Sequence, residues 1–71
     1  MIIIINTKLA PQMVQGLMAE YAASGEQVSA VSLDTALRIS PVGVSKVIVS
    51  RTLPRATLDR LQELFGNVEA V

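Results

Sequence analysis

Between residues 38 and 60 this chain places Arg38, Lys46, Arg51, Arg55 and Arg60 against one acid, Asp59, a local net charge of +4. The flanks are acidic: Lys8 stands with Glu20, Glu26 and Asp34 before this segment, and Glu63 and Glu69 follow it. Six basic and six acidic residues leave the 71-residue chain neutral overall. Neutrality argues against an all-round coat of positive charge, whereas a basic segment in a neutral chain suits a module touching one polyanion with one face. Nucleophilic and metal chemistry find little to work with. Histidine and cysteine are absent, which removes the commonest general base, the commonest zinc ligand and every thiolate site. No serine lies in a nucleophile motif, and nothing would activate one. The expectation is a binding protein and not an enzyme, with no metal and no cofactor.

A small scaffold must position these cations. Residues 1–71 make one domain, which buries only roughly 60% of its unfolded surface, and no disulfide can reinforce it. At 51% hydrophobic, with Tyr21 and Phe65 the sole aromatics, the chain is too apolar for disorder. Ile2, Ile3, Ile4 and Ile5 are consecutive β-branched residues and predict a strand. Without polar alternation both faces of that strand need cover, and a lone strand needs a partner. Residues 67–71, released by Gly66, are the other segment with strand character, so pairing within the chain and pairing with a second copy both remain open. The bare isoleucine run in so small a chain predicts a homodimer, with residues 1–8 as the dimerisation strand. The run is far short of the ~20 residues that span a bilayer, and no basic segment precedes it as in an export signal. A cytoplasmic protein without a membrane anchor is expected.

Pro11 suits the first position of a helix, and Met13, Val14, Leu17, Met18 and Tyr21 follow on one helical face until Gly25. Residues 26–30 read as a short connection. Ser32 can cap a second helix that turns Leu33, Ala36 and Leu37 inward, with Asp34 and Arg38 paired four residues apart. Ser40 and Pro41 then end one helix near Ile39 and start another. Two short helices meeting in so tight a turn have helix-turn-helix geometry. The third helix would bury Val44, Val47 and Ile48 and leave Val42, Ser45, Lys46, Val49 and Ser50 toward solvent. Thr52, Leu53 and Pro54 break the chain, and a last helix from Arg55 to Phe65 buries Leu58, Leu61, Leu64 and Phe65 before Gly66. No internal repeat is evident.

Leu33, Leu37, Ile39, Ser40, Val44 and Val47, followed by Pro54 and Leu58, form a pattern that resembles the helix-turn-helix of the Cro/C-repressor (lambda-repressor-like) family. The match runs from residue 32 to 66, with residues 51–58 similar to that family's exit from the recognition helix. Asp34 and Arg38 depart from it, standing where the family usually has alanine and glycine. The resemblance implies a mainly α domain of four to five helices with a short N-terminal β-strand, and a helix-turn-helix over residues 32–51. It implies sequence-specific binding to double-stranded DNA, as a small dimeric repressor of phage or plasmid type on an inverted-repeat operator. A small-molecule ligand is not expected. In such a protein Ser45 and Lys46 donate to base edges, and Val42 and Val49 pack on thymine methyls. Arg38, Ser40, Ser50, Arg51 and Arg55 contact phosphates, while Arg60 is left to solvent.

Two alternatives accompany this reading. A strand followed by helices is also the order of the ribbon-helix-helix repressors, although Ile2–Ile5 carries no polar side chain to read bases. If the third helix does not read DNA, the exit from the strand at Asn6, Thr7 and Lys8 is the next place to look. The other alternative is a protein-interaction module whose apolar strand adds to a partner's sheet edge.

Overall fold

Two runs of β-branched residues lie side by side at the centre of the molecule. In the computed structural model, which describes all 71 residues, they form β1 (Ile2–Ile5) and β3 (Lys46–Val49). β2 (Val28–Val31) and β4 (Val68–Ala70) complete one sheet of order β2-β1-β3-β4, with every pairing parallel. Parallel neighbours cannot be joined by a hairpin and need crossovers. Helix α1 (Pro11–Ala23) carries the chain from β1 to β2, and α3 (Arg55–Phe65) carries it from β3 to β4. Between β2 and β3 run the single turn α2 (Leu33–Ala36) and an irregular stretch, residues 37–45.

This α/β architecture replaces the expected mainly α domain of four to five helices. The expected third helix is the strand β3, and the connection expected over residues 26–30 enters β2. At Lys46–Val49 the helical spacing of Val44, Val47 and Ile48 is real, but three successive β-branched residues favour extended backbone. Once β1 is beside it, that preference is reinforced by ladder bonds. Periodicity alone does not distinguish a short buried strand from a buried helical turn. The helix-turn-helix over 32–51 disappears with it: Ser40 and Pro41 open a turn that closes at Gly43, whose φ of 83° a glycine adopts freely.

Other expectations stand. Ser32 caps α2, its Oγ accepting from the Thr35 N–H at 3.4 Å. The first and last long helices begin at Pro11 and Arg55 as read, and each is followed by a glycine in left-handed backbone, Gly25 and Gly66.

The sheet is covered on both faces within one chain. Ile3, Ile5, Val47 and Val49 share one face with Ala36, Leu53 and Leu61, against which α2, α3 and the 37–45 stretch pack. Ile2, Ile4 and Ile48 occupy the other face, under Val14, Leu17, Met18 and Tyr21 of α1. The isoleucine run therefore finds the two-sided cover it needs without a second copy. It also has a strand on either side, β2 and β3, so β1 has no free edge. Ile2, Ile3, Ile4 and Ile5 are core residues, and the dimerisation surface expected there is corrected. No helix is long and apolar enough to cross a membrane.

Candidate functional site

Because all four strands are parallel, their carboxyl ends share one edge of the sheet. The chain leaves β1 for α1 on one face and leaves β3 for α3 on the other. Between these adjacent strands the two connections diverge to opposite faces, which makes this the topological switch point, the place where open parallel sheets form their ligand crevice.

One wall is the connection after β1. The Asn6 N–H donates to the Val31 carbonyl at 2.9 Å, and the Asn6 carbonyl accepts from the Leu9 N–H at 3.0 Å. Thr7 Oγ1 accepts from the Leu33 N–H at 3.1 Å, tying this turn to the start of α2. At its apex Lys8 is exposed, with φ 64°, the one non-glycine residue in left-handed backbone. The opposite wall follows β3. Ser50 is 3% exposed; its Oγ lies 2.7 Å from Thr52 Oγ1 and accepts from the Thr52 N–H at 3.2 Å. The Arg51 N–H donates to the Val71 carbonyl at 3.1 Å, leaving the Arg51 side chain at the exposed edge.

The charged side chains of the two connections are of one sign. Residues 6–10 and 50–54 contain Lys8 and Arg51 and no acid. Helices α1 and α3 both start here, each without a side-chain cap and without an acid in its first turn. Their free N–H groups and macrodipoles add positive potential. Arg55, the first residue of α3, contacts Asp59 at 3.3 Å, but both side chains are largely exposed and such a pair holds weakly. At the opposite edge Glu20 and Glu63 occupy the last turns of α1 and α3, and Glu26 follows α1. Against the β1–α1 connection is a shallow cavity of about 300 Å³, lined by Asn6, Leu9, Pro11, Val14 and Gln15.

The expected DNA-contacting residues do not form one surface. Val49 is fully buried in the sheet and has no access to a thymine methyl. Val42 is exposed in the turn after α2, and Ser45 Oγ donates to the Met1 carbonyl at 3.2 Å, before β3 and away from the carboxyl edge. Lys46 opens β3 and is engaged there. Its Nζ donates to the Tyr21 hydroxyl at 3.2 Å, lies 3.3 Å from Glu69 Oε1, and sits 5.6 Å from the Tyr21 ring centroid. The Tyr21 hydrogen bond and then Glu69 raise its pKa above the usual lysine value. Lys46 thus latches α1 to β3 and β4, and the base-edge set Val42, Ser45, Lys46 and Val49 is corrected.

Of the phosphate set, Arg51 and Arg55 lie at the carboxyl edge, while Arg38 is exposed beyond α2. Ser40 Oγ accepts from the Val42 N–H within its own turn. Ser50 is also corrected, because it is buried and engaged with Thr52. Lys8, Asn6 and Gln15 were outside that set. Their signal was the repeated order of a β-branched run, polar residues with one cation, leucine and a helix-opening proline.

The chain matches no protein-family model, no curated protein and no solved structure. Function must therefore be read from the geometry of this edge.

Proposed function

We propose that this protein binds a phosphate-bearing ligand at the carboxyl edge of its sheet, between the β1–α1 and β3–α3 connections. One observation carries the reading: the two connections that leave the adjacent strands β1 and β3 at the switch point carry Lys8 and Arg51, lead into two uncapped helix N-termini, and contain no acidic side chain. Arginine offers paired donors matched to phosphate oxygens, and lysine a mobile point charge. Helix N-termini add oriented N–H groups. The operator-binding reading loses the recognition helix on which it rested, since residues 46–49 are a strand.

Titrating the ¹⁵N-labelled protein with ribose 5-phosphate at low salt tests this. Expected are amide shifts confined to the two connections and the first turns of α1 and α3, weakening as salt screens the charges. Absence of shifts there, with shifts elsewhere or none, overturns the proposal. A short duplex added in parallel should perturb the same edge less selectively; a tight, sequence-dependent response to duplex alone would return the protein to operator binding.

A further inference from the structure

The phosphate reading leaves the neighbouring cavity unexplained, and its lining is chemically specific. Leu9, Pro11 and Val14 present aliphatic surface, and Asn6 and Gln15 present side-chain amides. The only side-chain amides hydrogen-bonded within the protein are those of Gln62 and Asn67, so neither cavity amide has a protein partner to give up. Their residues are exposed, on the turn after β1 and in α1.

We infer that this cavity receives the base of a mononucleotide whose phosphate is met by the Lys8 and Arg51 side chains. The inference rests on the phosphate reading above and extends it. An amide places one acceptor beside two donors, the pattern that pairs with the heteroatom edge of a base, as when asparagine or glutamine meets adenine N6 and N7. The aliphatic walls offer contact to flat ring faces and little to a bare sugar. Size sets an upper limit, because about 300 Å³ is at the lower end of small-molecule sites, which run from ~300 to 1,000 Å³. Connectivity joins the two parts, since Lys8 lies in sequence between the lining residues Asn6 and Leu9.

A dinucleotide fits less well. The close backbone approach to a pyrophosphate requires a glycine-rich turn after the first strand, and here that turn is Asn6, Thr7 and Lys8. A single phosphate met by side chains is the better match.

The experiment compares adenosine 5′-monophosphate, ribose 5-phosphate and adenosine by ¹⁵N chemical-shift titration of the wild type and of Gln15→Leu. Leucine is as good a helix former as glutamine and the position is exposed, so the variant should fold; circular dichroism checks that it does. The mononucleotide should shift the Asn6 and Gln15 side-chain amide signals together with the Arg51 backbone, and bind more tightly than ribose 5-phosphate. Gln15→Leu should weaken the mononucleotide about fivefold, the loss of one hydrogen bond, and leave ribose 5-phosphate unchanged. Equal affinity for mononucleotide and sugar phosphate, or indifference to Gln15→Leu, would overturn the base site and leave the phosphate edge standing. No response to either phosphate compound would remove both.

Discussion

The connections that follow β1 and β3 have the same length and nearly the same order of residue types. After β1 come Asn6, Thr7, Lys8, Leu9 and Ala10 before Pro11 opens α1; after β3 come Ser50, Arg51, Thr52, Leu53 and Pro54 before Arg55 opens α3. Their surfaces differ. On the β3 side Leu53 is buried, Ser50 and Thr52 close on each other, and α3 sends Leu61 fully into the core. On the β1 side Leu9 is half-buried, Lys8 is held in left-handed backbone, and α1 buries no residue completely. One connection is packed shut and the other leaves a cavity. The same local order can thus supply a rigid wall or an adaptable one, according to how deeply its leucine and its helix are seated.

The largest expected effect tests the packing difference directly. Leu61→Ala should lower unfolding free energy by about 2–5 kcal/mol, the usual range for a buried leucine, whereas Val14→Ala in α1 should lower it by about 1 kcal/mol. Urea denaturation of both variants measures this. Equal losses would mean that the two helices are seated alike.

Next come the two cations. Arg51→Ala and Lys8→Ala should each weaken adenosine 5′-monophosphate about tenfold, as expected when a hydrogen bond to a charged group is removed, with little change in melting temperature. If only one matters, the site draws on one connection alone.

A smaller effect separates strain from binding on the β1 wall. Left-handed backbone costs a non-glycine residue about 1–2 kcal/mol, partly offset by the extra freedom glycine has when unfolded. Lys8→Gly should therefore stabilise the protein by about 0.5–1 kcal/mol while still weakening the phosphate ligand. A destabilised Lys8→Gly variant would show that the lysine stem packs on the wall.

The smallest effect concerns the Lys46 latch from α1 to β3 and β4. Lys46 has its pKa raised by the Tyr21 hydrogen bond first and by Glu69 second. Its contribution is complete below the unfolded value of 10.5 and is lost as pH rises through the higher folded value. Wild type should lose more stability than Lys46→Met when denaturation is compared at neutral pH and above pH 10.5. Parallel losses would show that the latch contributes nothing.

Punctuation was the most legible part of the sequence. Pro11, Gly25, Pro54 and Gly66 mark the long helices because fixed φ, positive φ and the missing proline N–H are local properties. Ile2–Ile5 is legible for the same reason, as a run whose preference is strong at every position. Lys46–Val49 was not, because a strand buried on both faces lacks alternation and its apolar spacing also fits a helical turn. Val28–Val31 carries two small residues, Ser29 and Ala30, and is a strand because β1 offers it an edge. The site followed the same division. Arg51 and Arg55 stood out as cations, but the site depends on Lys8 and Arg51 standing in the connections that leave two adjacent strands at the same edge, a relation that exists only once β3 lies beside β1.

The central position of β1 also sets an order of events during synthesis. Ile2–Ile5 leaves the ribosome before either of its partners, since β2 follows α1 and β3 comes only after the 37–45 stretch. Until then an uncharged isoleucine run is exposed, the kind of segment that stacks with its own kind when left waiting. Every ladder in the sheet joins strands separated by a crossover, a topology that folds slowly. Recovery of soluble protein should therefore depend on temperature and on dilution during refolding, because the residues that become the best-protected core are the most adhesive part of the nascent chain.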